Sequence, residues 1–255
     1  MATTFKSLYE KRCNKDGKPQ YWKPRALPNV EMVVSDSGVP ESIKKILASA
    51  LFLEIDVRQY VSELFRDLEI NQVSPICKAL ILSNIADESV HAAQFRYAID
   101  AYPVNDIDLK EAEVISEAWK NAPGSPIEKA ALLEVGVFVA CSLPILLRCG
   151  GSSLARLSRM VAEDEQRHVA TNLGVLQKFG YNPFSFSPEL DKLRLQTIDW
   201  QIKSLNIKRW GINKDWFIDR SNEMVTSGAS NALSDFTSFY QDDMPFEVSN
   251  AFLTY

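Results

Sequence analysis

The sequence predicts an all-α protein, and three observations lead there. Apolar residues recur at three- and four-residue steps over long stretches, the period of a helix face. Glycine and proline, 10 and 12 of 255 residues, gather between those stretches rather than at the short intervals that bound strands. With 46% hydrophobic and 24% charged residues, the chain can bury a sizeable core, which excludes disorder for most of its length. One domain over 41–240 is the economical division, with an extended arm at 1–40 before it and a flexible tail at 241–255 after it.

The arm is read from Lys18-Pro19, Lys23-Pro24 and Leu27-Pro28, with Tyr21 and Trp22 as anchoring aromatics. After Pro40, a helix fits 41–67: Leu47, Ala50, Leu51, Val57, Val61, Leu64 and Phe65 form its apolar stripe, and Glu54 falls on that stripe. The next fits 74–101, opening at Ser74-Pro75 and closing before Pro103. A short helix fits 108–121, closed by Pro123-Gly124. A very apolar helix fits 125–149, interrupted by Glu134 and ended by Gly150-Gly151. Residues 152–179 give another, capped by Ser152 or Ser153 and stopped at Gly180. Weaker helices follow near 187–206 and 213–227. No repeat shows by identity, but the order recurs: a helix with one glutamate on its apolar stripe, then a helix with a glutamate three residues before a histidine.

Composition narrows function. The formal charge of -5 lacks the basic excess of a chain whose main partner is a phosphate backbone, so nucleic acid is excluded as primary ligand. The polar N-terminus carries no signal-like run and the later apolar stretches are short or interrupted by acids. A cytoplasmic protein with no membrane association is therefore expected. Cys13, Cys77, Cys141 and Cys149 form no CxxC pair and read as ordinary thiols of a reducing compartment.

The chemistry concentrates on two histidines. His91 and His168 are the only ones, and each follows a glutamate by three residues: Glu88-Ser-Val-His91 and Glu165-Gln-Arg-His168. Residues i and i+3 share a helix face, so carboxylate and imidazole can converge on one ion. Seventeen glutamates in 255 residues seldom give both histidines such a partner by random placement. Each pair follows a helix with one glutamate on its apolar stripe, Glu54 and Glu134. A buried, unpaired carboxylate costs several kcal/mol, so two of them imply a shared cation site. Glu54, Glu88, His91, Glu134, Glu165 and His168 thus form the ligand set of a dinuclear carboxylate centre. Hard oxygen donors with one imidazole each suit iron or manganese. Two readings stay open for Glu54, a ligand or a solvated charge beside Asp56 and Arg58, with Asp56 as substitute ligand. Asp164 either supports a ligand imidazole from outside or is a solvated acid, and Glu163 faces away or supports the ligands from outside.

These motifs resemble the ferritin-like di-metal carboxylate superfamily, and within it the class I ribonucleotide reductase small subunit. The likeness runs from about Ile43 to Leu176. Leu133-Glu134-Val-Gly-Val-Phe138, its continuation to Ser142, and Ala162-Glu-Asp-Glu-Gln-Arg-His168 resemble that subunit's third and fourth ligand helices. Trp216-Phe217, Arg220, Glu223 and Tyr240 are similar to its radical-transfer and partner-docking end. The resemblance implies a ferritin-like four-helix bundle core with additional C-terminal helices. It also implies two iron ions, one manganese with one iron, or two manganese, with O2 as co-substrate.

Departures from the reductase pattern matter. Phe95 stands four beyond His91, where most reductase small subunits carry a radical-forming tyrosine; a manganese–iron subclass carries phenylalanine there. The 43 residues from His91 to Glu134 are closer to compact members such as aldehyde-deformylating oxygenases, acyl-carrier-protein desaturases and bacterioferritins. The additional ligand histidine of aminobenzoate-type N-oxygenases has no counterpart. The expected function is an oxygenase or oxidase of a small or acyl substrate, with Leu51, Phe95, Phe138 and Val161 lining the pocket. No nucleotide-binding glycine motif is visible, so an external electron donor is expected. The alternatives are a reductase small subunit, docking a large catalytic subunit through its tail, and an iron-storage or structural bundle. A homodimer is expected by analogy.

Overall fold

The computed structural model describes residues 41–70, 73–149, 151–179, 186–203, 205 and 214–226. Among these it is helical with short connections and no strand. The arm at 1–40, the tail at 241–255, Tyr240 and Cys13 lie outside the described residues, as do the side chains of Glu163, Ser152, Ser153 and Cys149. The order is α1 (Glu41–Ile70), α2 (Pro75–Ala101), α3 (Asp106–Asn121), α4 (Pro126–Leu132), a π-helix π1 (Leu133–Ser142), α5 (Leu143–Cys149), α6 (Gly151–Lys178), α7 (Pro188–Lys203) and α8 (Lys214–Thr226).

Local chemistry sets the helix starts. Ser74 accepts from the Cys77 amide with Pro75 in the first turn, Asn105 accepts from the Asp108 amide, and Ser125 forms a reciprocal capping box with Glu128. The predicted stripe of α1 is interior: Leu47, Ala50, Leu51, Val57, Val61 and Leu64 are buried, and Phe65 is half-buried. Helix α1 packs against α2, α3, α4 and π1, and α6 packs against α2, α4, π1 and α5. Trp119 on α3, wholly buried, donates from Nε1 to Thr197 Oγ1 at 3.0 Å and ties α7 to the bundle.

The predicted single helix over 125–149 is corrected by the structure to α4, π1 and α5 in series. The Leu143 amide bonds the Phe138 carbonyl, five residues back, which marks the widened turn. Every residue from Leu133 to Ser142 is buried, so the apolar pattern has no polar face whose phase could distinguish the two helix types. Pro144, lacking an amide hydrogen, removes a donor just past the wide segment. The Glu134 interruption does not shorten the apolar run either. Pro126–Leu147 is long and apolar enough to cross a membrane, and 94% of its most apolar window is buried inside the protein.

The C-terminal helices clamp π1. Buried Arg194 on α7 reaches Asp191, Ser221 and Asn222, and Ser221 on α8 donates to the Gly136 carbonyl. Gly136 is where they approach: a Cβ there would lie 2.7 Å from Arg194 Cδ and 3.1 Å from Val225 Cγ2. Because three partners anchor the guanidinium, it cannot swing aside. Gly136→Ala is expected to lower stability by about 1–3 kcal/mol, read from the urea midpoint. An unchanged midpoint would show that the clamp is slack.

Candidate metal centre

The six candidate ligands come from four helical segments: Glu54 from α1, Glu88 and His91 from α2, Glu134 from π1, Glu165 and His168 from α6. None is more than 2% exposed. The reading of Glu54 as a solvated charge therefore does not hold. Asp56 is buried too, but on the other side of α1. It accepts from Ser116 Oγ at 2.9 Å and lies 3.8 Å from Lys120 Nζ, so it is no substitute ligand.

Each imidazole has a defined inside and outside. His91 Nδ1 lies 3.2 Å from Glu54 Oε2, 3.2 Å from Glu165 Oε1 and 3.8 Å from Glu88 Oε2. His168 Nδ1 lies 2.6 Å from Glu88 Oε1 and 3.4 Å from Glu165 Oε1. The other nitrogens point away: His91 Nε2 is 3.2 Å from Asp164 Oδ2 and His168 Nε2 is 3.2 Å from Asp87 Oδ2. The crossing pairs, 87 with 168 and 164 with 91, place α2 and α6 antiparallel and in register. An aspartate that accepts from Nε2–H fixes the tautomer whose Nδ1 lone pair faces inward.

Asp164, a candidate support from the sequence, thus lies against His91 and is itself paired with Arg167. Asp87 was missed. The signal was present, because both helices read Asp-Glu-x-x-His, with Asp87 and Asp164 in the same place. Asn172 was missed as well: its Nδ2 donates to Glu134 Oε2 at 2.7 Å.

Glu88, His91, Glu165 and His168 bring their ligand atoms within 4.8 Å of one another and can hold a metal ion. The donor chemistry fits a cation. Glu54 Oε1, Glu88 Oε1, Glu134 Oε1, both Glu165 oxygens and His168 Nδ1 are buried and complete no well-directed hydrogen bond, although several lie close together. Buried polar atoms left this way cost about 1–3 kcal/mol each unless something binds them.

Electrostatics point the same way. Burial, then the charges of Glu54 and Glu165, push the Glu88 carboxyl well above its ordinary value of 4.5. Burial, then Glu165, lifts Glu134 to about 8. Burial would lower both imidazoles, but Glu54 for His91, and Glu165 with Glu88 for His168, hold them well above 6.5. Burial would likewise raise Glu165, yet His168 and His91 pull it down to about 2. The cluster therefore needs positive charge at its centre, from protons or from cations.

No family model, curated protein or solved structure matches this chain. What it can do is argued from its own residues. The apolar residues expected to line a pocket are buried within the core: Leu51, Phe95, Phe138 and Val161 are at most 3% exposed, and Phe95 meets Phe138 edge to face at 6.1 Å. A groove of about 440 Å³ lies instead along α3 and α7, lined by Ile107, Lys110, Glu111, Val114, Ile115 and Trp200, none of them a candidate ligand.

Proposed function

We propose that this chain is a ferritin-like di-metal carboxylate oxidoreductase, an O2-using oxygenase or oxidase of a small or acyl substrate supplied by an external electron donor. One observation supports it most: two antiparallel Asp-Glu-x-x-His helices aim both Nδ1 atoms at four buried glutamates, each of which keeps at least one oxygen without a hydrogen bond.

His91 with Glu54 would hold one ion and His168 with Glu134 the other. Glu88 and Glu165, each near both imidazoles, would complete the ligand set. Four carboxylates then neutralise two dications, and iron, manganese or one of each suits this donor set. Such ions supply the electron transfer that couples dioxygen reduction to substrate oxidation. The chain's own part would be to keep bulk water from the ligands and to orient each imidazole through Asp164 or Asp87.

The test is metal analysis of full-length protein produced with iron and manganese both present, with anomalous diffraction at both absorption edges. Two ions per chain and O2 uptake by the reduced protein are expected. Absence of bound metal would overturn the reading, and deposition of many irons per chain would replace it with storage. A second reading, a reductase small subunit, draws on α8. That helix carries Trp216, Phe217 and the Arg220–Glu223 pair and packs directly on π1, which bears Glu134. Deleting 249–255 separates the two: loss of binding to a large partner favours the subunit, and unchanged substrate turnover favours the oxygenase.

A further inference from the structure

We propose that Asn172 is a positioning residue that makes the two metal positions unequal, by withholding one oxygen of Glu134 from the ion held beside His168. The inference rests on the dinuclear reading above.

Among the described residues, the contacts of the other three cluster glutamates run to fellow candidate ligands. Glu54 Oε2 meets His91 Nδ1, Glu88 Oε1 meets His168 Nδ1, and Glu165 Oε1 meets both imidazoles. A cation entering between such groups replaces those contacts with its own. The contact at Glu134 differs in kind. Asn172 is fully buried, one helical turn beyond His168, and its Nδ2 donates to Glu134 Oε2 at 2.7 Å. An amide nitrogen is a donor with no lone pair to offer a metal, so it does not join the ligands, and its bond engages one lone pair of Glu134 Oε2 and makes that oxygen a poorer donor than Oε1 to an arriving cation. Glu134 is left to present Oε1, which makes no hydrogen bond. Glu54 keeps both oxygens for its ion once His91 Nδ1 turns to that ion.

The symmetry of the two motif helices breaks at this level. Asn172 stands four residues beyond His168, and four beyond His91 stands Phe95, which packs on Phe138 and has no donor. The ion beside His168 is thereby held by fewer protein oxygens and keeps a position open to an outside ligand, while the ion beside His91 is enclosed.

Cobalt(II) titration of metal-stripped, full-length protein, followed by visible absorption and by competition with a chelator, tests this. The unaltered chain is expected to bind two cobalt ions with constants differing by about tenfold or more. The weaker step should give the stronger absorption of a lower-coordinate ion. In Asn172→Leu the two constants are expected to converge and the absorption of the second step to fall, because Glu134 regains both oxygens. Asn172→Ala repeats the measurement without added bulk should the leucine chain fail to fold. Equal constants in the unaltered chain, or an unchanged gap in both variants, would overturn the role of Asn172 alone. No cobalt binding by the unaltered chain would overturn the dinuclear reading and this inference with it.

Discussion

His168→Ala protein is expected to fold and to lose the ion at its own position, so that occupancy falls from two ions per chain to at most one. The imidazole nitrogen it removes sits 2.6 Å from Glu88 Oε1 and 3.4 Å from Glu165 Oε1, two further candidate ligands, so neighbouring binding is expected to weaken as well. Loss of an orienting partner outside the ligands typically costs 10–100-fold in affinity, so loss of a ligand should cost at least about 100-fold. Glu134→Ala is expected to empty the same position, and it also removes a carboxyl that burial and Glu165 raise to about 8. That chain should be no less stable than the parent without metal, since an acid repelled by its neighbours has been taken away. Asp87→Asn, which leaves all six candidate ligands in place, should fall between these and the parent. Metal analysis after equilibration with excess iron or manganese reads all three, and full occupancy in either alanine variant removes that residue from the ligand set.

The parts legible in the sequence were those with a local physical cause. Ser74-Pro75 announces a helix start because the serine meets the amide three residues on, whereas the Asn105 cap, which starts α3 at Asp106 rather than at 108, was passed over. The Glu88–His91 and Glu165–His168 spacings are legible because i and i+3 share a face whatever the tertiary fold. Partners set by register between helices were not. Asp87 reaches His168 across 81 positions and Asn172 reaches Glu134 across 38, and neither match exists until α2, π1 and α6 are aligned. Asp56 shows the converse limit. Sequence offered it as a substitute ligand, yet α3 covers it with Ser116 and Lys120. The π-helix was invisible for a third reason: a segment buried on every side carries no amphipathic phase.

Without metal, the chain's stability is expected to fall as pH rises from about 6 to about 9, and metal loading should both raise it and flatten that slope. His91 and His168 are held above 6.5 when folded. Their contribution is therefore complete below that value and is lost as pH climbs through the folded pKa. Glu134 keeps its proton to about 8 when folded but only to its ordinary 4.5 when unfolded. Its burial therefore costs little below 4.5 and progressively more up to about 8, and Glu88, also raised, adds in the same direction. Glu165 opposes them at the acid end: lowered to about 2, it contributes stability above 4.5 that is lost as pH falls below that value. The metal-free optimum therefore lies in mildly acid solution. On the proposed dinuclear reading, two divalent ions would replace the protons with charge that does not titrate. At free metal 1,000 times a site's dissociation constant, linkage adds about 4 kcal/mol for that site. Thermal unfolding across this pH range, with and without manganese, measures both effects. A metal-free melting temperature that rises with pH would mean the four glutamates and two imidazoles do not share one buried field.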